Sequence, residues 1–288
     1  MVLESISVIT PSYNQGQFIE RTLLSVLNQN IPGLEYLIFD GCSQDETLTV
    51  LRRYEDRLRW ISEPDHGQAH AVNKGIAASQ GNIIGWLNSD DIYYPGALAK
   101  VRQYFSENPS VDVVYGAAFH IDVDDNRIEP YYTEPWNFGK FLSVCFLCQP
   151  AVFFRRRMVA RFGLLDESLQ FCMDYEFWLR LAKNGAVFAY LPESLAGSRM
   201  YTQNKTLSQR VAVHAEISNM LNKKFGKVPT KWLLNYAHVK VDEQRVPRGW
   251  RRMALISFHS ILASLRWNHK ISKDVLQHIR SWISIGKK

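Results

Sequence analysis

Four polar clusters follow apolar runs in the first ninety-one residues of this 288-residue chain, and each holds side chains able to do chemistry. Asn88-Ser89-Asp90-Asp91 comes directly after the apolar run 82–87. Paired carboxylates suit a hard divalent cation such as Mn2+ or Mg2+, which takes oxygen ligands and completes its shell with phosphate oxygens and water. The same residue types also favour turns and helix N-caps, here ahead of Pro95. Asp40-Gly41 ends the run LEYLIFD. A carboxylate there can accept a hydrogen bond from a nucleobase N–H or a ribose hydroxyl, and Asp-Gly is equally a turn. Asp65-His66-Gly67-Gln68 precedes a helical segment whose first N–H groups can face a diphosphate, with ordinary capping as the local alternative. In Thr10-Pro11-Ser12-Tyr13-Asn14, Tyr13 can stack on a base or pack on the surface. Far along the chain, Asp174 and Glu176 open an amphipathic segment. Acids in a first turn are favoured by the helix dipole alone, and one placed over a crevice can act as general base toward a hydroxyl. Cys145 and Cys148 form a lone CxxC with no second pair and no histidine cluster, so they read as small apolar residues near a core strand.

These clusters need a scaffold that brings them to one place. Strand-like runs fall at 6–10, 34–40, 58–62, 82–87 and 111–119, and helical spacing at 15–28, 43–54, 67–79 and 95–105. Ser43 with Glu46 forms a capping box for the second helix, and Pro95 starts the fourth at its first turn. Strands are expected again at 151–156 and 186–191, the latter ending before Pro192, with a helix at 173–184 closed by Gly185. The alternation predicts an α/β fold: a mainly parallel sheet flanked by helices, with ligands bound beyond the carboxyl ends of the strands, where the polar clusters fall.

Hydrophobic residues make up 46% and charged residues 22%, a globular balance. Four cysteines are too few for a disulfide framework. No basic leader with a long apolar core opens the chain, and no apolar run reaches the ~18 residues that would span a bilayer. The expected setting is the cytoplasm, with the inner face of the cell membrane as a candidate surface. The net charge of +6 hides an asymmetry. Residues 200–288 hold 17 Lys and Arg against four acids, whereas residues 1–199 hold 17 against 24. That split predicts a catalytic domain over 1–205 and a helical, basic extension over 206–288 that meets an anionic surface.

Four segments together carry a family resemblance: PSYNQGQFIERTLLSVLNQ (11–29), FDGCSQDET (39–47), DHGQAHAVNKGIAASQGNIIGWLNSDD (65–91) and MDYEFWLRLAKNG (173–185). In their order and spacing the chain resembles the family 2 glycosyltransferases, inverting enzymes of GT-A fold, over roughly residues 5–200. The resemblance implies a nucleotide-diphosphate-sugar donor, a Mn2+ or Mg2+ cofactor, and a glycan or lipid-linked acceptor in cell-surface polysaccharide or glycolipid synthesis. It implies that Thr10, Pro11 and Tyr13 line the base pocket and that Asp40 bonds the base. Gln68 and Asn73 would lie in the stretch that closes over the donor. Asp90 would sit nearer the ribose and Asp91 on the metal, in the DXD-like position, and Asp174 would be the catalytic base. Met173 stands where the family has glutamate, and Arg199-Met200-Tyr201 where members often have Arg-x-His. Arg199 would then meet the diphosphate, while Tyr201 cannot replace a histidine metal ligand. A sugar-phosphate nucleotidyltransferase would show a glycine-rich loop with Arg and Lys near its start, where this chain has Pro-Ser-Tyr-Asn-Gln.

In the basic extension, Arg248, Arg251 and Arg252 precede the apolar run 253–265, with Trp250, Trp267 and Trp282 alongside. The run is too short to span a bilayer but suits an in-plane helix with tryptophans at headgroup level. A helical appendage with solvated lysines and arginines is the alternative. Nucleic acid is not the expected partner, since no recognition motif accompanies the charge.

Overall fold

The computed structural model describes residues 4–285, with side chains to Trp282, so the start and end of the two expected domains, and part of the segment searched for a leader, lie outside the described residues. The chain divides into two compact units. The first holds the residues up to Phe138 together with Cys145–Tyr201, and the second holds Gly139–Val144 with the residues from Thr202 onward.

The first unit is an α/β structure. Its strands are β1 (Ile6–Ser12), β2 (Glu35–Asp40), β3 (Arg59–Ser62), β4 (Ile83–Trp86), β5 (Ile92–Tyr93), β6 (Val113–Ile121), β7 (Arg127–Pro130), β8 (Val152–Arg155) and β9 (Phe188–Arg199). They form one sheet in the order β3-β2-β1-β4-β8-β6-β9-β5, with β7 on β6. β1, β2, β3, β4, β6 and β9 all run one way, and β5, β7 and β8 run against them. The sheet is therefore mainly parallel, as the alternation predicts. The helices are α1 (Ile19–Leu27), α2 (Thr47–Arg52), α3 (Gln68–Ala78), α4 (Ala97–Glu107), α5 (Phe138–Phe141, at the unit boundary), α6 (Arg157–Phe162) and α7 (Met173–Lys183).

β1 is buried along its whole length, which its run of Ile6, Val8 and Ile9 permits. On β2 the pleat sends Tyr36 and Ile38 to a core shared with Ile19 and Leu23 of α1 and with Leu98 and Val101 of α4. Leu37 and Phe39 pack on Ala71 of α3 on the opposite face. A fully buried leucine such as Leu23 contributes roughly 1.5–3 kcal/mol by burial. α3 approaches β1 so closely that a Cβ on Gly75 would lie 2.3 Å from Ile9 Cγ2, so only glycine fits there.

Register aligns the strand ends. Ser12 pairs with Asp40, Asp40 with Ser62, and the Leu87 N–H donates to the Ile9 carbonyl. The polar clusters after β1, β2, β3 and β4 thus share one edge of the sheet.

β5, β7, α5 and α6 are additional to the expected elements, and two expected elements have different ends. Ser43 does not cap α2, which begins at Thr47 after Glu46. The Ser43 hydroxyl donates instead to Asp40, a buried carboxylate with a stronger claim on a donor than a helix end open to water. β9 does not stop before Pro192 but runs to Arg199. On β6, Gly116 faces Leu191 and Ala117 faces Ser194, so Pro192 and Glu193 fall in a bulge where no ladder N–H is required. That continuation carries Arg199 to the site.

The second unit is helical: α8 (Lys205–Ser208), α9 (Arg210–Phe225), α10 (Thr230–Glu243), α11 (Trp250–Asn268) and α12 (Lys273–Ile285). Ala237 and Val241 of α10 pack on Ile256 of α11. The Trp267 indole N–H donates to Asn219 at 2.7 Å, and Asn268 makes a reciprocal pair with the Val228 backbone at 2.8 and 2.9 Å. No helix among the described residues is long and apolar enough to cross a membrane.

Candidate active site

The turn after β4 is the centre of a dense hydrogen-bond network. Asp91 is buried, and its Oδ1 accepts the Arg199 backbone N–H at 2.9 Å. Its Oδ2 is approached by Asn88 Nδ2 at 3.4 Å. Asn88 Oδ1 in turn accepts from Gln68 Nε2 at 2.7 Å and from the Trp86 indole at 2.9 Å. Asp90 Oδ2 accepts from the Tyr201 hydroxyl at 2.9 Å, and Gln15 reaches the same hydroxyl at 3.4 Å. Thr22 of α1 places its hydroxyl within 2.9 Å of the Ser89 and Asp91 carbonyls, fixing the turn from below.

Burial raises the pKa of Asp90. Asp91 is pushed well above the ordinary aspartate value, first by burial and then by the charge of Asp90. The two carboxylates receive few donors for their charge, and positive charge nearby would relieve both. Hard oxygen donors are what Mn2+ or Mg2+ takes, so the pair fits such an ion. Among the described residues no three His, Cys, Asp or Glu side chains converge, so a divalent ion here would draw the rest of its shell from the donor and from water.

Asp174 lies in the first turn of α7. The buried Cys148 thiol is pushed up by burial and then by its acidic neighbours Asp91, Cys145 and Asp174, so the carboxyl groups of Asp91 and Asp174 act on one thiol from two elements. Cys145 and Tyr131 are likewise raised by burial and also feel Asp174. Cys145 and Cys148 are free thiols whose ionisation is disfavoured, in keeping with apolar packing of the CxxC pair.

At the end of β2, Asp40 is buried and receives three bonds: the Ser43 N–H at 2.9 Å, the Ser43 hydroxyl at 2.5 Å and the Ser62 hydroxyl at 2.7 Å. A carboxylate has about four acceptor sites, which leaves one on Oδ1 for a ligand N–H. Tyr13, just past β1, is 62% exposed and can offer a ring face. Asp65 accepts the Gly67 N–H at 2.8 Å in the turn that leads into α3, whose N-cap is Gly67. Gly67 adopts φ 111° there, a conformation suited to glycine.

Other expected residues are buried or bonded to partners within the fold. Thr10 is fully buried and its hydroxyl lies 3.2 Å from that of Tyr36, because β1 sends Thr10 into the core. Pro11 is buried in the same strand. Asn73 does not reach toward a donor. Its amide donates to the Leu165 carbonyl and Glu167 carboxylate at 3.0 and 2.8 Å, and its oxygen accepts the Leu165 N–H at 3.0 Å. It pins the loop before α7. Arg199 is 0% exposed. Its guanidinium donates to the carbonyls of Asp90 and Asp122, both at 2.7 Å, and to the Asp125 carboxylate, with the Phe18 ring 4.7 Å beneath. A buried cation needs such partners, so Arg199 holds the Asp90-Asp91 turn from behind and is not presented to a diphosphate.

Three contacts around the Asp90-Asp91 turn escape a linear reading. Tyr201 is marked in the sequence only by its place after Arg199, yet it holds Asp90. Asn88 bridges Gln68 to Asp91. Gln149 donates to the Trp86 carbonyl at 2.6 Å while its buried Oε1 has no partner, and a polar residue just ahead of the apolar strand β8 was the available signal.

Residues 7–169 match the family described as glycosyl transferase family 2. The chain is 26% identical to an uncharacterised glycosyltransferase of Rickettsia typhi over 235 residues, covering 76% of this chain and 72% of that one. It is 31% identical to the chondroitin synthase of Escherichia coli over 183 residues, covering 62% of this chain and only 27% of the synthase. Among solved structures it resembles the mannosyltransferase of Pyrobaculum calidifontis in complex with GDP-Man and Mn2+, with TM-score 0.64, 17% identity, and coverage of 100% of this chain and 82% of that one. It also resembles Staphylococcus aureus TarS 1-349 in complex with UDP-GlcNAc, with TM-score 0.62, 18% identity and 91% and 86% coverage. Those two likenesses establish the fold as the GT-A arrangement.

Proposed function

The chain belongs to glycosyl transferase family 2, and from that premise we propose that it moves a sugar from a nucleotide-diphosphate donor to a hydroxyl of a growing cell-surface polysaccharide or lipid-linked glycan, with inversion. The observation that supports this reading is the buried Asp90-Asp91 turn after β4, held by Arg199 and Tyr201, with Asp91 and Asp174 both acting electrostatically on Cys148. The donor types follow the GDP-Man and UDP-GlcNAc complexes of the structural relatives. The acceptor class follows the chondroitin synthase and an O-antigen biosynthesis protein of Myxococcus xanthus, 28% identical over 200 residues.

In this proposal Tyr13 and Asp40 receive the base, the latter through its remaining acceptor site. Gln68 and Asn88 hold Asp91 in place. Asp91, with Asp90, would hold Mn2+ or Mg2+, which when bound supplies positive charge beside the leaving diphosphate. Asp174 accepts the acceptor's hydroxyl proton while that oxygen bonds to the anomeric carbon. The bond from that carbon to the diphosphate oxygen breaks on the opposite face, and its electron pair leaves with the nucleoside diphosphate. One displacement inverts the centre. The cytoplasm, where such donors would be met, is the proposed setting.

A melting-temperature screen of UDP, GDP and dTDP sugars, each with Mn2+ and with EDTA, tests the reading. One nucleotide class should stabilise the protein, and only with the metal, since a ligand selective for the folded state stabilises it by mass action. Equal shifts in EDTA would remove the metal from the proposal, and no shift with any nucleotide sugar would remove the donor.

A further inference from the structure

The helical unit presents an apolar stripe that the transfer reaction does not use. α11 contains no Asp or Glu. One side of it is buried through Ile256, Ser260, Ala263, Ser264 and Trp267. On the other side Trp250 is 76% exposed, Phe258 55%, and Leu262 and Leu265 44% each. At ~100° per residue these four fall within about 120° of the helix circumference. Arg251, exposed, lies within the same arc, and Arg266, also exposed, lies about 40° beyond it. Arg248 and Lys270 are exposed just beyond the two helix ends.

We infer that this face of α11 docks in the plane of an anionic phospholipid bilayer, its apolar side chains in the interfacial layer and its arginines among the headgroups. Large apolar groups collected in one exposed stripe are costly in water and need a cover. A second copy of the chain would set Arg251 and Arg266 against their own kind, with no acid on the helix to pair them. A negatively charged lipid surface complements them instead. The geometry also corrects the tryptophans expected at headgroup level. Trp267 is buried with its N–H on Asn219, and Trp282 packs edge-on against His238 at 5.7 Å, so Trp250 alone of the three is presented. Arg252 is likewise turned inward, bonded to Asp242. The inference rests on the proposed function only for its purpose, which is to bring a lipid-linked acceptor to the enzyme; the docking itself does not depend on it.

Co-sedimentation of the full chain with vesicles of phosphatidylglycerol and phosphatidylcholine, and with phosphatidylcholine alone, tests this. The chain should bind the anionic vesicles, lose binding at high salt, and stay in the supernatant with the neutral ones. Phe258→Glu with Leu262→Glu should lower partition about tenfold or more while melting temperature stays unchanged. Arg251→Gln with Arg266→Gln, which leaves the apolar stripe intact, should lower it about fivefold per arginine, and it decides the matter if the first variant folds poorly. No binding by the parent chain, unchanged binding by the variants, or a parent dimer that the Phe258–Leu262 variant splits into monomers in sedimentation velocity would each overturn the inference. The nucleotide-sugar melting shift, read on the same samples, reports the transferase reading separately.

Discussion

Asp40 and the Asp90-Asp91 pair follow the two parallel strands that flank β1, and they live in contrasting hydrogen-bonding conditions. Asp40 is a single charge with three donors from Ser43 and Ser62. Asp90 and Asp91 are two adjacent charges held by Tyr201, the Arg199 N–H and a long contact from Asn88. The first end is nearly balanced by its own loop. At the second, burial makes charge expensive and the neighbour adds repulsion, so Asp91 resists ionisation. Identical residue types at equivalent strand ends therefore do different work. One organises a loop and keeps one acceptor site open, and the other holds a carboxyl pair whose ionisation a nearby cation would favour.

That contrast can be broken most sharply at the chemistry. Asp174→Asn should lower transfer by about 10²–10⁴-fold while leaving the nucleotide-sugar melting shift intact, because it removes a proton acceptor and no donor contact. Near-parental turnover would detach Asp174 from the Asp90-Asp91 end. Asp91→Asn should lower kcat/KM about 10²-fold and abolish the metal dependence of donor binding in calorimetry. The same variant should be no less stable than the parent in urea without metal, since it removes a carboxylate that the fold disfavours.

Asp40→Ala should do the reverse. It leaves the Ser43 and Ser62 donors without their acceptor and should cost about 2–3 kcal/mol in urea unfolding. A loss below ~0.5 kcal/mol would mean that Asp40 is not the organiser of its loop.

The two ends should also separate by pH. The folded state holds the Asp91 proton more tightly than the unfolded chain does, so it binds more protons from the ordinary value of 3.8 up to the raised one. Stability of the metal-free protein should then fall as pH rises through that window, and Asp91→Asn should flatten this part of the profile. An unchanged slope in the variant would reject Asp91 as its source. The smallest effect is expected at Tyr201→Phe, about 1 kcal/mol of stability from the lost bond to Asp90, measured by the same denaturation. A variant as stable as the parent would make that bond incidental.

Much of the scaffold is legible residue by residue. The β-branched run at 6–10 and the apolar run at 82–87 announce β1 and β4, and the spacing of Leu23, Leu24 and Leu27 announces α1, because strand and helix periods are written in the local order of apolar residues. Element ends are less legible. Ser43 and Glu46 satisfy a capping pattern, yet Asp40, only three residues away, takes the serine. Pro192 reads as a stop, yet a bulge across β6 excuses it from pairing.

The main strands and helices over 6–119, the acidic and basic halves, and the carboxylates at the strand ends are all legible in the chain order. These depend on composition and on neighbours a few residues apart. Folding in three dimensions is what sets Arg199 behind the Asp90-Asp91 turn, ties Asn73 to Leu165 and Glu167, and buries Trp267 while leaving Phe258 exposed. Each of those outcomes turns on a partner tens of residues away or on which side of a helix meets the core. A hydrogen bond or a buried face is chosen by proximity in space, and chain position does not encode that proximity.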